Sequence, residues 1–312
     1  MPYTLEPLPP IRLMTRLLAE MQTTIVSAGV RALGGDLDRF VIFTVVGRQS
    51  LTTTPSGESG DGTPISMHAL ANSLSRPYET VRRHVHALID LGICDRQPNG
   101  VISPRESLTG PLMQGLMVTA HDAFVRLVDD LATLGIPLPR ARPDIPYDPR
   151  VAVRKAADLM LAVTDTNRDV HGDWAELVVW STVLCANARR FARDPVLALL
   201  YADQTRSPPA ELWLPVRPSV VSRAIGISES TVRRRITAML ADGRLEQRRG
   251  GVVVSETWLN RPDSVATSNA SYYNSRRILE RAAAAGFPFE SPASAYLAGR
   301  PPAPSFDSDP KQ

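Results

Sequence analysis

Residues 80–101, TVRRHVHALIDLGICDRQPNGV, are repeated as residues 231–252, TVRRRITAMLADGRLEQRRGGV, displaced by 151 positions. The two copies share the opening TVRR, one alanine, two glycines and the final valine at matching places. Self-similarity over a segment of this length indicates that a structural unit has been duplicated. The chain is therefore expected to contain two related units.

Each copy begins with a pattern typical of an amphipathic helix. Apolar residues recur at the spacing of one helical face: Val81, Val85, Leu88 and Ile89, then Val232, Ile236, Met239 and Leu240. The opposite face and its flanks are basic or hydrogen-bonding: Glu79, Arg82, Arg83 and His86, then Ser230, Arg233, Arg234 and Thr237. Gly92 and Gly243 predict the helix ends, because glycine readily takes the left-handed C-cap conformation.

A hairpin is predicted after each of these helices, and a short helix and a turn are predicted before it. Downstream, the sequence predicts a hairpin from residues 93–97 and 101–103 and another from residues 245–248 and 252–255, with turns at Pro98-Asn99-Gly100 and Gly250-Gly251. Upstream, residues 67–74 and 220–225 predict short helices, followed by the turns Ser75-Arg76-Pro77 and Gly226-Ile227-Ser228. Each unit thus has the order helix, turn, basic helix, hairpin.

This order is that of a winged helix-turn-helix. The run from Ile227 to Arg233, ISESTVR, followed by Leu240, Gly243 and a hairpin, resembles the turn and recognition helix of bacterial winged-helix transcription regulators, the GntR and MarR types most of all. The first copy departs from that pattern, since Arg76-Pro77-Tyr78-Glu79 occupies the turn. The resemblance is confined to the two motifs and does not extend to the long helices around them.

The resemblance implies that the basic helix of each unit enters the major groove of DNA while the hairpin holds phosphates or the minor groove. Arginine suits both roles, because its guanidinium makes bidentate contacts to guanine and to phosphate. Ser228, Ser230, Thr80 and Thr231 could donate to phosphate or act only as helix caps. The candidate contacts are Arg76, Tyr78, Glu79, Thr80, Arg82, Arg83, His86, Arg96 and Asn99 in the first unit, and Ser228, Glu229, Ser230, Thr231, Arg233, Arg234, Thr237, Arg248 and Arg249 in the second.

The repeat extends beyond the motif. Gly135-Ile136-Pro137 and Gly286-Phe287-Pro288 keep the displacement of 151, and residues 41–49 match residues 196–204 at a displacement of 155. Long helices are predicted over residues 11–33, 36–47, 108–135, 150–163, 174–191 and 263–286. The expected organisation is a first unit at residues 1–136, a stiff proline-rich linker at 137–149, a second unit at 150–298 and a disordered tail at 299–312.

The sequence therefore predicts a mainly α fold with small β-hairpin wings: two tandem winged helix-turn-helix units with long flanking helices and pseudo-two-fold symmetry. The apolar faces of the long helices are typical of a core or dimer interface, or alternatively of a pocket for a small-molecule effector. The two units are expected to form a pseudo-dimer within one chain, or the whole chain to form a homodimer.

Composition limits the other functions. With 35 basic and 32 acidic residues, the net charge of +3 excludes a diffuse polycation, so nucleic-acid contact requires local clustering. Cys94 and Cys185 are isolated and predict small core residues, not a metal site or disulfide. His171 and Asp173 predict a helix-start cap. The sequence carries no nucleophile motif, phosphate loop or nucleotide fingerprint, so we expect no enzymatic activity and no cofactor.

The leading hypothesis is a sequence-specific transcription regulator that binds double-stranded DNA, from a bacterium. Two alternatives stay open: a plasmid or replication initiator with tandem winged helices, and a module in which the winged helices bind other proteins. No apolar run suggests a membrane span or signal peptide, so we expect a cytoplasmic, nucleoid-associated protein.

Overall fold

The computed structural model describes residues 8–51 and 62–307. This part of the chain is mainly helical, with two small antiparallel hairpins. The first half contains α1 (Ile11–Ala32), α2 (Leu37–Ser50), α3 (Met67–Leu74), α4 (Tyr78–Asp90), β1 (Asp95–Gln97), β2 (Gly100–Ile102), α5 (Arg105–Thr109) and α6 (Pro111–Thr133). The second half contains α7 (Pro149–His171), α8 (Trp174–Ala192), α9 (Pro195–Leu200), α10 (Pro218–Ile225), α11 (Glu229–Ala241), β3 (Leu245–Arg248), β4 (Gly251–Val254), α12 (Glu256–Leu259) and α13 (Pro262–Ala283).

The displacement of 151 holds from the middle of each half to its last helix. Ile65 bridges to Val101 in the first half, and Val216 bridges to Val252 in the second. The long helices α6 and α13 both begin with proline, at Pro111 and Pro262. The predicted repeat is therefore confirmed over α3–α6 and α10–α13.

The predicted match of residues 41–49 to residues 196–204 is wrong. Asp36 caps α2 by accepting a hydrogen bond from the Arg39 amide, and Asp173 caps α8 in the same way, so the counterpart of α2 is α8. The short helix α9 leaves Val196 74% exposed, because Pro195 starts a helix of less than two turns beside the core. An apolar sequence match had aligned a buried helix with a surface one.

One predicted long helix is divided. Residues 108–135 form the end of α5 and all of α6, because Gly110 is extended, with ψ of 159°, and Pro111 then starts a new helix. Proline favours the first helical position and lacks the amide hydrogen that a continuous helix would use. The Gly-Pro dipeptide is the sequence signal for this break.

The two halves are interleaved. Helix α1 packs against α6 of its own half and against α8 of the second half, whereas α7 packs against α13 and against α6 of the first half. The side chains of Val26 and Val30 on α1 and of Leu159 on α7 are fully buried in the resulting common core. The flanking helices thus join the halves through one continuous apolar core.

The proline-rich segment between the halves is packed against them. The Ala141 amide donates to Glu290 Oε1 at 3.1 Å and the Arg142 amide donates to the Ala283 carbonyl at 3.2 Å. The Tyr147 hydroxyl lies 2.7 Å from Nε2 of His121 on α6. Residues 137–149 therefore follow the surface of α6 and α13 instead of spanning open solvent.

The predicted disorder of residues 299–312 is wrong for its first part. Phe306 is buried, and the carbonyl of Pro301 accepts a hydrogen bond from Arg126 on α6 at 3.0 Å. Arg300 forms an ion pair with Asp129 at 2.8 Å. One aromatic anchor and two arginine contacts hold this proline-rich segment in place, and residues 308–312 lie outside the described residues.

None of the helices in residues 8–51 and 62–307 is both long and apolar enough to cross a membrane. Cys94 and Cys185 are both buried, as predicted. Burial raises the pKa of the Cys94 thiol to about 12, so this sulfur stays protonated at neutral pH.

Candidate nucleic-acid interface

Helix α4 separates its apolar and basic faces as predicted. Val81, Val85 and Leu88 are fully buried, while Arg82 and Arg83 are exposed. Arg82 Nε donates to Glu79 Oε2 at 2.8 Å, so its charge is locally balanced. Within residues 8–51 and 62–307 the Arg83 guanidinium has no ionic or hydrogen-bonding partner.

Three other candidates on α4 differ in their exposure. Tyr78 is 39% exposed and stacks on His68, with ring centroids 4.7 Å apart. His86 is exposed, and Thr80 is half-buried. The helix is preceded by Pro77 and has no side-chain cap, so Thr80 does not cap it.

Helix α11 repeats this arrangement. Ser228 is its N-cap, and its Oγ accepts a hydrogen bond from the Thr231 amide at 3.3 Å. Arg233 Nε donates to Glu229 Oε1 at 2.8 Å, as Arg82 does to Glu79. The remaining candidates on this face are Ser230, Arg234 and Thr237, all exposed.

Arg234 is the counterpart of Arg83. It is exposed, and its guanidinium meets no acidic or hydrogen-bonding group in the described part of the chain. Of the matching arginine pair on each basic helix, the first is thus neutralised by a glutamate and the second is not.

The hairpins add a few basic side chains and one amide side chain. Arg96, Asn99 and Arg249 are exposed, and neither arginine has an ionic partner among the described residues. Arg248 is half-buried, with its guanidinium 3.1 Å from the Ala210 carbonyl and 3.6 Å from Glu246. Of the two arginines predicted in the second hairpin, only Arg249 is unengaged.

A glycine in each hairpin allows its backbone to approach the preceding segment of the chain closely. A Cβ atom at Gly100 would lie 2.2 Å from the Ile65 carbonyl oxygen, and one at Gly251 would lie 2.2 Å from that of Val216. Both glycines have φ near the upper limit of the positive region, 149° and 148°. Only glycine allows the backbones to approach this closely.

Arg76 is the candidate that the structure places differently. Its guanidinium forms an ion pair with Asp38 at 2.8 Å and lies 3.6 Å from Asp173, at the start of α8 in the other half. Arg235 of α11 binds the same Asp173 carboxylate at 2.7 Å. The predicted DNA contact Arg76 is therefore held at the junction of the two halves.

The acidic residues of this junction were missed as a set. Asp36 contacts Nδ1 of the buried His84 at 3.4 Å, which corresponds by position to the contact between Asp173 and Arg235. The sequence indicated a cap for Asp173, and both Asp36 and Asp173 are N-caps of apolar helices. The ion pairs join residues far apart in sequence, so no local pattern predicts them.

Two arginines, one from each half, contact the short helix that precedes the other half's turn. Arg31 at the end of α1 donates to the Arg223 carbonyl of α10 at 2.9 Å. Arg168 near the end of α7 donates to the Ser73 carbonyl of α3 at 3.1 Å and to Ser75 Oγ at 3.2 Å. The short helices α3 and α10 are thereby held from across the interface.

No model of a known protein family matches the chain, and no curated protein or solved structure shows significant similarity to it.

Proposed function

We propose that the chain is a sequence-specific transcription regulator that binds double-stranded DNA through two winged helix-turn-helix units. The first unit comprises α2, α3, α4 and the β1–β2 hairpin, and the second comprises α8, α10, α11 and the β3–β4 hairpin. One observation carries this proposal: Arg83 and Arg234 occupy the same repeat position, both exposed and without a counter-charge in the described chain.

An unpaired arginine on an exposed helix suits base recognition. Its guanidinium group is positively charged and carries five N–H donors, and a bidentate contact to guanine uses two of them. Arg82 and Arg233 are restrained by glutamates on the same helix, at 2.8 Å in each case. Such pairs on exposed surface are weak, so these arginines can exchange glutamate for a phosphate oxygen.

The proposed units would act as an intramolecular pseudo-dimer. Arg31 and Arg168 lie near the end of one half's first helix and contact the short helix that precedes the other half's turn, which supports a pseudo-two-fold relation. Holding both short helices restricts the freedom of α4 and α11 relative to one another. A preorganised pair loses less conformational entropy on binding DNA than two tethered units would.

The two helices offer different contacts. The exposed groups of α4 include Tyr78 and His86, whereas α11 offers Ser230 and Thr237. A homodimer repeats one set of contacts and so selects a palindrome. The pseudo-dimer is therefore proposed to select two unlike half-sites.

Selection from a random pool of double-stranded DNA tests this function. The wild-type chain should enrich a defined sequence, bind it saturably in fluorescence anisotropy, and lose affinity steeply as salt rises, because phosphate contacts release counterions. The same sequence as a single strand serves as the matched control and should bind far more weakly. An unenriched pool, or equal affinity for every duplex tested, would refute sequence-specific DNA binding.

A further inference from the structure

The interleaved halves enclose two clefts at equivalent places in the repeat. The first, the polar cleft, lies between α1, α7, α8, α12 and α13, with an empty volume of about 550 Å³ that includes open solvent. The second, the apolar cleft, lies between α1, α2, α5, α6 and α7, with about 410 Å³ measured in the same way. Trp180 and Leu259 line the first where Phe43 and Leu108 line the second.

The linings of the two clefts have diverged in chemistry. On α13 the polar cleft presents the hydroxyls of Thr267, Ser268 and Ser271. At the corresponding positions of α6 the apolar cleft presents Leu116, Met117 and Ala120. A duplicated wall of the core has thus become hydrogen-bonding in one half only.

The polar cleft contains buried donors with no partner in the described structure. Gln22 is 4% exposed and Trp180 is 6% exposed, and both line the cleft. Neither Gln22 Nε2 nor Trp180 Nε1 has a hydrogen-bonding partner among the described residues, and the same is true of Ser264 Oγ. Buried donors are nearly always paired, so three unpaired donors on residues that line one cleft favour a group that pairs with them.

Aromatic rings supply the stacking surface. Trp180 and Trp258 both line the polar cleft, with ring centroids 5.3 Å apart. The buried His171 ring contacts both in a tilted arrangement, with centroid distances of 4.8 Å and 5.4 Å. His171 had been expected to form a helix-start cap; it is instead the last residue of α7, and Asp173 alone is the cap.

The polar cleft carries no charge. Its lining contains no acidic, lysine or arginine side chain. Burial and the neighbouring Arg244 lower the pKa of His171 to about 3, so this imidazole is neutral at physiological pH. An ionised ligand would lose its hydration without gaining a counter-charge.

We propose that the polar cleft is the binding site of an uncharged aromatic small molecule bearing a carbonyl or another hydrogen-bond acceptor. The ring packs against Trp258, and the acceptor receives hydrogen bonds from the Trp180 indole and the Gln22 amide. The apolar cleft lacks these donors, so each chain binds one molecule. The site does not depend on the proposed DNA-binding function.

Benzamide is the probe, and tryptophan fluorescence of the full chain is the readout. Benzamide should quench the fluorescence saturably, with one molecule per chain and a millimolar Kd suited to its size. Its charged isostere benzoate should bind at least about ten-fold more weakly, because no cation in the cleft replaces its hydration. Saturable binding of benzoate equal to that of benzamide would refute the proposed ligand class.

Two variants locate the site. Trp180→Phe keeps an aromatic side chain but removes the indole N–H and should weaken binding, measured by calorimetry, by about ten-fold, the effect of one unmade buried hydrogen bond. Ser268→Met places the side chain of the apolar cleft in the polar one and should abolish binding. Met117→Ser, its mirror change in the apolar cleft, is the matched control and should leave affinity unchanged.

Two results would refute a ligand site in the polar cleft. If benzamide never saturates the signal, the unpaired donors are satisfied by water alone and the cleft is a hydration site. If Met117→Ser weakens binding while Ser268→Met does not, the ligand occupies the other cleft. Either result overturns the assignment, and neither bears on DNA binding.

Discussion

At the scale of single residues, the protein's proposed activity depends on two arginines that the fold leaves unpaired. Arg83 and Arg234 are exposed while their neighbours Arg82 and Arg233 bind glutamates on the same helices. Adjacent arginines on each helix therefore differ in whether a carboxylate balances their charge. This difference predicts different consequences for substitution.

Arg83→Ala and Arg234→Ala are each expected to weaken binding to the selected DNA by about 1 to 3 kcal/mol, the usual effect of removing a base contact. Equilibrium anisotropy titration measures the change. Arg142→Ala is the control, because Arg142 is exposed but paired with Asp144 in the segment between the halves. Unchanged affinity in both test variants would remove the basic helices from the interface.

Gly243 is the second residue with a specific prediction. Its φ of 80° confirms the left-handed conformation expected after α11, and an added Cβ would meet nothing within 4 Å. Gly243→Ala should therefore lower the free energy of unfolding by about 1 kcal/mol through backbone strain alone. Gly115→Ala, in the exposed interior of α6 with equal free space, should instead raise it by about 0.5 to 1 kcal/mol in denaturant unfolding. Equal effects would contradict this account.

His171 gives a prediction for acid stability. Its folded-state pKa is lowered to about 3, so below its unfolded-state value near 6.5 the unfolded chain binds a proton that the folded chain does not. Stability is fully present above that unfolded value and is lost as pH falls. The loss from this group between pH 7 and pH 5 is about 2 kcal/mol.

His171→Gln removes the titration and should flatten the dependence of the unfolding free energy on pH across that interval. The carboxylates that also titrate in acid are common to both proteins, so the difference between the two curves isolates the imidazole. Parallel curves would show that His171 is not held neutral by burial.

At the scale of elements, one residue on α2 and one on α8 hold the hairpin of their half in place. Asn187 of α8 accepts a hydrogen bond from the Val254 amide at 2.9 Å and donates to the Leu214 carbonyl at 2.8 Å. Ser50 of α2, at the corresponding place, accepts from the Ser103 amide at 2.9 Å. The second hairpin is thus held by more hydrogen bonds than the first.

Asn187→Ala should lower the free energy of unfolding by roughly 2 to 3 kcal/mol, because it leaves the Val254 amide and the Leu214 carbonyl unpaired. Ser50→Ala, which orphans a single amide, should cost about 1 to 2 kcal/mol. Denaturant unfolding of both variants tests the order. A larger loss from Ser50→Ala would contradict the proposed fastening.

Local signals explain which elements could be predicted. The bounds of α3 and β3 follow from turn residues and apolar spacing within a few positions, and both agree with the structure. The α5–α6 break was missed because the apolar period continues across Gly110-Pro111. The correspondence of α2 with α8 was missed because the match at a displacement of 155 compared apolar content. Burial depends instead on packing against elements distant in sequence.

In the candidate interface too, local features could be predicted from the sequence and contacts between the halves could not. The exposure of Arg83 and Arg234 follows from their helical phase, so it could be predicted. The binding of Arg76 by Asp38 and Asp173 could not, because it arises from the approach of two halves that are distant in sequence.

At the scale of the whole molecule, we propose that one chain replaces a symmetric dimer. Helices α1 and α7 cross between halves, and Arg31 and Arg168 hold α10 and α3 of the opposite half. The halves share one core, so they are expected to act together. Their unlike basic helices then predict an asymmetric DNA site bound by a single chain.

Hydroxyl-radical footprinting of the selected DNA, with the mass of the complex measured in parallel, tests this claim most directly. We predict one chain per site and protection of two unlike half-sites, with Arg83→Ala losing protection at one half-site and Arg234→Ala at the other. Protection of a perfect palindrome by two chains, or an unchanged footprint in both variants, would contradict the account.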